Sequence, residues 1–452
     1  MKVNFETALG SYRIQRFPLR AQQPLQAWDA ADELLLNTLV AEYSERLKST
    51  ESRVLLVNDQ FGALATALRA QRPDCWSDST MSHAATEFNL HENVDSVDAG
   101  KYGFTAISSV SDLNGYYDLV LIKVPKTLAL LEQQLTMLSG HITESTLVIA
   151  GGMTKHIHNS TVGLFETLVG PTRTSRATKK ARLIFSEPKL NDADSPAPHL
   201  IESRYQCEPL HAELISYANG FSRERLDIGA RAMLQALDKY PIPMGNNIAD
   251  FGCGNGVLGL YALQKRLSQP AARVASASAA VSISFIDESY MAIAAAQKNF
   301  ERLHGGLSVE SEILQPDSSQ QAANDEFDSV ADIDDGAKLE PEAEAEHVAA
   351  AEHSGDQYIN VAFVAQEGIA AKKHKRYDWI LCNPPFHIGN TTDTSVAKRM
   401  FQQSFQALQR NGQLWVVANR HLDYPDTIQS LFKNHQIIFS NTKFVVILAV
   451  KK

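Results

Sequence analysis

Paired cysteines are what this sequence most plainly lacks. Cys75, Cys207, Cys253 and Cys382 are scattered through 452 residues with no Cys-x-x-Cys among them. Neither a disulfide framework nor a zinc site follows from such spacing, and no metal is expected. Long apolar runs are missing too: none approaches the ~18 residues a membrane helix needs. The opening stretch, MKVNFETALGSYRIQRFP, has no apolar centre of the signal-peptide kind, so a cytoplasmic protein with no membrane partner is expected, taken as a monomer. An overall positive charge is absent as well. The net charge of −10 argues at first against a nucleic-acid partner. Its distribution reverses that argument. Fifteen Asp and Glu against one Lys lie between Glu310 and Asp356, a local charge of −14, which leaves +4 for the rest of the chain.

The acidic stretch 310–356 has few aromatics and little hydrophobic periodicity, and it reads as a disordered insert. It is either a tolerated loop expansion or an acidic tether that repels RNA or holds a basic partner. The Ala/Ser-rich run from Gln269 to Val281 reads as a second enlarged loop. Elsewhere strands and helices alternate, as in a doubly wound α/β fold. NNIADFGCGNG is a strand and a Gly-rich turn, VLGLYALQKRL the next helix, VSISFIDES a second strand, and QIIFSNTKFVVILAVK a closing hairpin. The first half repeats this plan: YDLVLIKVP parallels YDWILCNPP, STLVIAGGMT parallels GQLWVVANRH, and NDQFGAL stands where the second half has DFGCGNG, which sets Asn58 against Asp250. The expectation is two tandem copies of one α/β domain, the second enlarged by loops.

Chemistry concentrates in the second half. Gly254, Gly256 and Gly259 satisfy the spacing of a dinucleotide loop, but Asp250 stands on the strand where a pyrophosphate would approach. A carboxylate there suits a cation better, and S-adenosylmethionine carries an ammonium and a sulfonium and no phosphate. Asp250 with Gly252, Gly254 and Gly256 resembles the cofactor loop of class I (Rossmann-like) methyltransferases. An acid at the end of the second strand would take the ribose hydroxyls. Asp287 fits, and neighbouring Glu288 stays open. The stretch CNPPF then follows a strand that ends at Leu381 or Cys382, where two prolines must stop it. An exocyclic amine on a base is a poor nucleophile, because its lone pair is delocalised into the ring. Asn383 offers a side-chain carbonyl and Pro384 a backbone carbonyl to its two N–H groups. Pro385 stiffens the turn, and Phe386 can stack on the base. His387 reads as a packing residue or, less simply, a proton carrier.

LQAWDAADELLL, RERLDIGAR, DFGCGNGVLGL, DESYMAIAAA, CNPPFH and NTKFVVILAV together resemble the bacterial RlmG family, which methylates guanine N2 in 23S ribosomal RNA and is related to the small-subunit enzyme RsmC. The resemblance implies two tandem methyltransferase domains from a duplication, with a degenerate N-terminal copy that binds neither cofactor nor target amine. It implies residues 1–190 for that copy, 191–225 for a linker and lead-in, and 226–452 for the catalytic domain that uses S-adenosyl-L-methionine. It also brings Asp227 towards the methionine end of the cofactor, and Gln366 or Glu367 towards the adenine edge. The basic run TRTSRATKKAR, Thr172 to Arg182, is a candidate phosphate contact. The same catalytic residues would permit a 16S substrate. A protein-glutamine methyltransferase, an inactive rRNA-binding assembly factor and an NAD-dependent oxidoreductase are the other readings. NPPF has no use in the last of these.

Overall fold

Apolar strand segments bounded by turn residues build two twisted sheets in the computed structural model. It describes residues 3–19, 25–49, 51–95, 100–189, 199–243, 245–269, 280–305, 309–314, 359–369, 376–385 and 394–452, with backbone alone at 309–314. The first half runs through a hairpin of β1 (Asn4–Thr7) and β2 (Gly10–Arg13), then helix α1 (Ala30–Tyr43). β3 (Val54–Val57), α2 (Ala63–Ala67), β4 (Asp74–Ser77), α3 (Thr80–His91), β5 (Thr105–Ser108), β6 (Leu119–Lys123) and α4 (Leu128–Leu138) follow. β7 (Leu147–Met153), α5 (Asn159–Leu168), β8 (Thr172–Thr174) and β9 (Ala181–Ser186) complete it. The second half opens on another hairpin, β10 (Ser203–Cys207) and β11 (Ala212–Ser216), followed by α6 (Ile228–Lys239), β12 (Asn247–Phe251), α7 (Val257–Leu267), β13 (Val281–Asp287), α8 (Tyr290–His304) and β14 (Val309–Leu314). It continues with β15 (Ile359–Ala365), β16 (Tyr377–Cys382), α9 (Ser395–Ala407), β17 (Leu408–Asn419), α10 (Tyr424–Phe432), β18 (Gln436–Ser440) and β19 (Phe444–Val450).

The spatial orders are β5-β4-β3-β6-β7-β9-β8 and β14-β15-β13-β12-β16-β17-β19-β18. Apart from β14 the two are the same arrangement, parallel except at the β9 and β19 pairings. Each order reverses direction beside its first central strand, and the crevice at that reversal is where such folds hold ligands. The repeated Tyr-Asp pair shows how close the duplication is. Asp118 Oδ2 accepts the Arg53 amide at 2.8 Å, and Asp378 Oδ2 accepts the Asn247 amide at 2.8 Å.

Three segments differ from the sequence reading. Residues 309–314 form edge strand β14, parallel to β15, so the first residues of the stretch read as disordered belong to the sheet. The remainder of that insert, 315–356, lies outside the described residues, as do 270–279 of the Ala/Ser-rich run. The segment read as linker and lead-in contains the β10–β11 hairpin, which stands before α6 as β1–β2 stands before α1.

The two halves meet through equivalent turns. Ser79 caps α3 and Ser289 caps α8, and the two serines form an antiparallel bridge. The Thr80 amide donates to the Glu288 carbonyl at 3.0 Å, and the Tyr290 amide donates to the Asp78 carbonyl at 3.1 Å. The serine hydroxyls reciprocate: Ser79 Oγ donates to Glu288 Oε2 at 2.5 Å, and Ser289 Oγ donates to Asp78 Oδ2 at 2.6 Å.

Candidate active site

The glycine loop of the second copy leaves β12 and enters α7. Asp250 is the penultimate residue of β12 and is fully buried. Its Oδ2 accepts the Gly259 amide at 2.7 Å, whereas Oδ1 is buried with no partner among the described residues. An orphaned carboxylate oxygen is costly unless a ligand completes it. Burial raises the Asp250 carboxyl to about 8; the Gly259 amide opposes this and the charge of Asp287 adds to it. Gly254 has φ +54 and open space where a side chain would stand, so a ligand can approach its backbone closely. Gly259 serves packing instead: a Cβ there would lie 2.5 Å from the Phe285 ring.

Asp287 ends β13 beside this loop. Its Oδ2 accepts the Gly254 amide and its Oδ1 the Ser289 amide, both at 3.0 Å. Glu288 turns to Ser79 of the first half. The two acids left open by the sequence therefore face different partners.

β16 delivers Asn383 to the same crevice, since β12 and β16 are hydrogen-bonded neighbours. Asn383 Nδ2 donates to Asp227 Oδ2 at 3.3 Å, and Asp227 caps α6 through the Ala230 amide at 2.9 Å. A carboxylate accepts only, so the amide must turn its NH2 towards Asp227 and its carbonyl away. The Asn383 Oδ1 so presented is buried and without a partner among the described residues. Pro384 is buried and Pro385 exposed; Phe386 and His387 lie outside the described residues. Asp227 and Asn383 are brought into contact, as are Asp287 and the glycine loop. Gln366 is placed after β15 by its amide, which donates to the Asp287 carbonyl at 2.9 Å, while its side chain turns to the Gly368 carbonyl at 2.9 Å. Glu367 pairs with Arg399 at 2.7 Å. Sequence reasoning missed Gly229. A Cβ there would stand 2.9 Å from Asp227 Oδ2 and 3.3 Å from Asn383 Oδ1, so only a glycine lets α6 come this close.

The first copy sets different side chains at the equivalent positions. Strand register aligns Arg53 with Asn247, so Leu56 stands in place of Asp250; aligning Asn58 with Asp250, as the sequence suggests, is wrong by two residues. Asn58 replaces Gly252 and adopts the same positive φ, 62° against 74°. Its side chain bonds the Lys123 carbonyl at 3.0 Å and exchanges bonds with Gln134 at 2.9 and 2.7 Å. Lys123 replaces Asn383, and its ammonium lies 2.7 Å from both Asp29 and Asp32. Burial opposes the charged lysine, but Asp32 and Asp29 outweigh it and hold its pKa up. Asp59 takes over the helix amide, accepting Ala65 N at 2.8 Å as Asp250 accepts Gly259. In the basic run, Lys179 pairs with Glu33 and Arg173 lies over Phe185, while Arg176 and Lys180 are exposed.

The raised Asp250 carboxyl has a measurable consequence. The folded chain keeps this proton up to about pH 8, whereas an unfolded Asp loses it near pH 4. Asp250 therefore costs stability as pH rises across that window, by about 1.4 kcal/mol per pH unit at most. Asp250→Asn mimics the protonated form and lacks this slope. Thermal melts of the ligand-free protein at pH 5, 6.5 and 8.5 should show the variant gaining on the wild type as pH rises; parallel curves would contradict the shift.

Residues 2–190 match the family described as the RLMG N-terminal domain, and residues 211–332 and 337–448 match the Methyltransferase small domain. The chain is 38% identical, over the full length of both proteins, to Ribosomal RNA large subunit methyltransferase G of Aeromonas salmonicida. It is also 38% identical, again over both full lengths, to the protein of the same name from Aeromonas hydrophila. Among solved structures it is similar to the T. thermophilus 16S rRNA N2 methyltransferase RsmC in complex with AdoMet and guanosine. That likeness has a TM-score of 0.63 at 16% identity, covering 99% of this chain and 97% of the other, and it shows a shared fold.

Proposed function

The chain belongs to the ribosomal RNA large subunit methyltransferase G family, and from that premise we propose that it methylates the exocyclic N2 amine of a guanine in 23S ribosomal RNA. Its methyl donor is S-adenosyl-L-methionine, which supplies an electrophilic methyl on a sulfonium. The observation that carries the guanine reading is Asn383 Oδ1, buried and unpaired among the described residues, just past the end of β16, the strand that pairs with β12 ahead of the glycine loop. It accepts one N–H of the target amine, and the Pro384 carbonyl accepts the other. Together they draw the nitrogen towards tetrahedral geometry and free its lone pair. Asp227 holds the amide in this orientation. Asp250 and the backbone of Gly252, Gly254 and Gly256 receive the methionine end, Asp287 the ribose, and the Gln366 turn the adenine edge. Positioning and electrostatics do the catalytic work, with no strong base required beforehand. Residues 1–190 position RNA through the exposed arginines and lysines of 172–182, with their own cofactor space closed by Asn58 and Lys123. Residues 226–452 carry out transfer, and 191–225 join the two. We place the enzyme in the cytoplasm as a monomer; among the described residues no helix is long and apolar enough to cross a membrane.

The test is methyl transfer from tritiated S-adenosylmethionine to unmodified 23S and 16S rRNA, each digested to nucleosides. Label in N2-methylguanosine from 23S alone is expected. Label from 16S alone would overturn the substrate, and label in another nucleoside would overturn the guanine assignment.

A further inference from the structure

We infer that Asp78, in the copy with the closed site, is a positioning residue for the cofactor site of the other copy. This rests on the reading of Asp287 as the ribose acid. Asp78 belongs to a part of the chain with no catalytic motif, yet it is 4% exposed and its carboxylate accepts four hydrogen bonds. Its Oδ1 accepts the Met291 amide at 2.8 Å and Ser109 Oγ at 2.5 Å. Its Oδ2 accepts Ser289 Oγ and Asn219 Nδ2, both at 2.6 Å. Two of these four donors, Ser289 and Met291, belong to the second copy, and Asn219 to the segment that leads into it.

Ser289 is the link to the site. Its hydroxyl donates to Asp78, and its amide donates to Asp287 Oδ1 at 3.0 Å. Met291, two residues on, is pinned through its backbone to the same carboxylate. Asp78 thus ties the start of α8, at the far end of the short turn that begins at Asp287. The other Asp287 oxygen is held by Gly254, so the ribose acid is suspended between the glycine loop and a turn anchored in the other domain. Two hydroxyls of a ribose demand a carboxylate placed within a few tenths of an ångström, and a turn free to shift would lose them. Asn219 extends the same anchor to the loop between β11 and α6, the helix capped by Asp227. A duplicate that has filled its own crevice is retained in this geometry as half of its partner's cofactor frame.

The measurement is S-adenosylmethionine affinity by calorimetry on the full-length protein, with thermal melts and steady-state kinetics alongside. Asp78→Ala should raise Kd for S-adenosylmethionine by about ten- to a hundredfold, the scale of a lost charge-assisted hydrogen bond, with kcat at saturating donor changed by less than about twofold. Gln133→Ala is the comparison. Gln133 is buried and bonds the His199 carbonyl and the Ile201 amide at the same junction, without touching the turn. It should lower the melting temperature and leave donor affinity unchanged. Asp287→Ala should weaken donor binding at least as much as Asp78→Ala. Unchanged affinity in Asp287→Ala overturns the ribose role and this inference with it. Affinity lost in Asp287→Ala but kept in Asp78→Ala overturns the inference alone, as does an equal loss in Gln133→Ala. Should Asp78→Ala not fold, Ser289→Ala cuts the same relay from its other end and must show the donor-specific loss, or the inference falls.

Discussion

Asn383→Ala should cut kcat by about 10²–10³-fold while S-adenosylmethionine still binds, the range seen when one preorganised polar group is removed from a reacting centre. The size follows from what the amide does. Its Oδ1 is buried and has no partner among the described residues, so it has already been stripped of water before substrate arrives. Alanine removes that acceptor and also leaves Asp227 without the NH2 it bonds at 3.3 Å. Asn383→Asp is the sharper companion. It keeps an oxygen in place but sets a second carboxylate against Asp227, and turnover should fall there too. Single-turnover transfer with donor affinity measured on the same sample decides the matter. Equal loss of donor binding and turnover would remove Asn383 from the target amine and return it to the cofactor.

Lys123→Ala should destabilise the protein by about 3–5 kcal/mol, because it strips the cation from buried acids. Lys123 sits 2.7 Å from Asp29 and from Asp32, and the Asp32 side chain is only 7% exposed. Asp59, 6% exposed, is close enough that the Asp32 charge helps burial raise its carboxyl to about 7. Without the ammonium these carboxylates must protonate or repel. Lys123→Met with Asp32→Ala should recover much of the loss, since removing both members of a buried pair costs far less than removing one. Chemical unfolding of the three proteins provides the comparison. Methyl transfer per folded molecule should be retained in all, because Lys123 belongs to the first copy and not to the one that carries Asn383 and the glycine loop. A Lys123→Ala protein as stable as the wild type would show that this charge cluster does not hold the first copy together.

Residues whose chemistry is local were legible early. Two prolines after an apolar strand can only end it, and β16 does stop at Cys382. Glycines at 252, 254 and 256 announce positive φ, and all three adopt it, at 74°, 54° and 84°. The shared Tyr-Asp phrase announced the duplication because its aspartate has the same backbone task in both sheets. What failed is equally instructive. Asn58 looked like the counterpart of Asp250 because both are short polar residues near a strand end; hydrogen-bond register across a sheet, which no single strand carries in its own sequence, puts Leu56 there. Edge strand β14 was read as part of the acidic insert because Glu310 and Glu312 alternate in it, and charge on an edge strand imitates a solvated loop.

The sequence by itself determined the fold class, the repeat, the glycine-rich turn and the Asn-Pro-Pro turn, since each depends on residues within a few positions of one another and on preferences every such residue carries. Tertiary structure alone decided the rest. Asp78 meets Ser289 across 211 residues, Lys123 meets Asp29 across 94, and Asn383 meets Asp227 across 156. No periodicity encodes such pairs. They exist because two sheets of the same strand order dock through equivalent turns, and because each capping aspartate, at α1 and at α6, is carried to the end of a strand far along the chain.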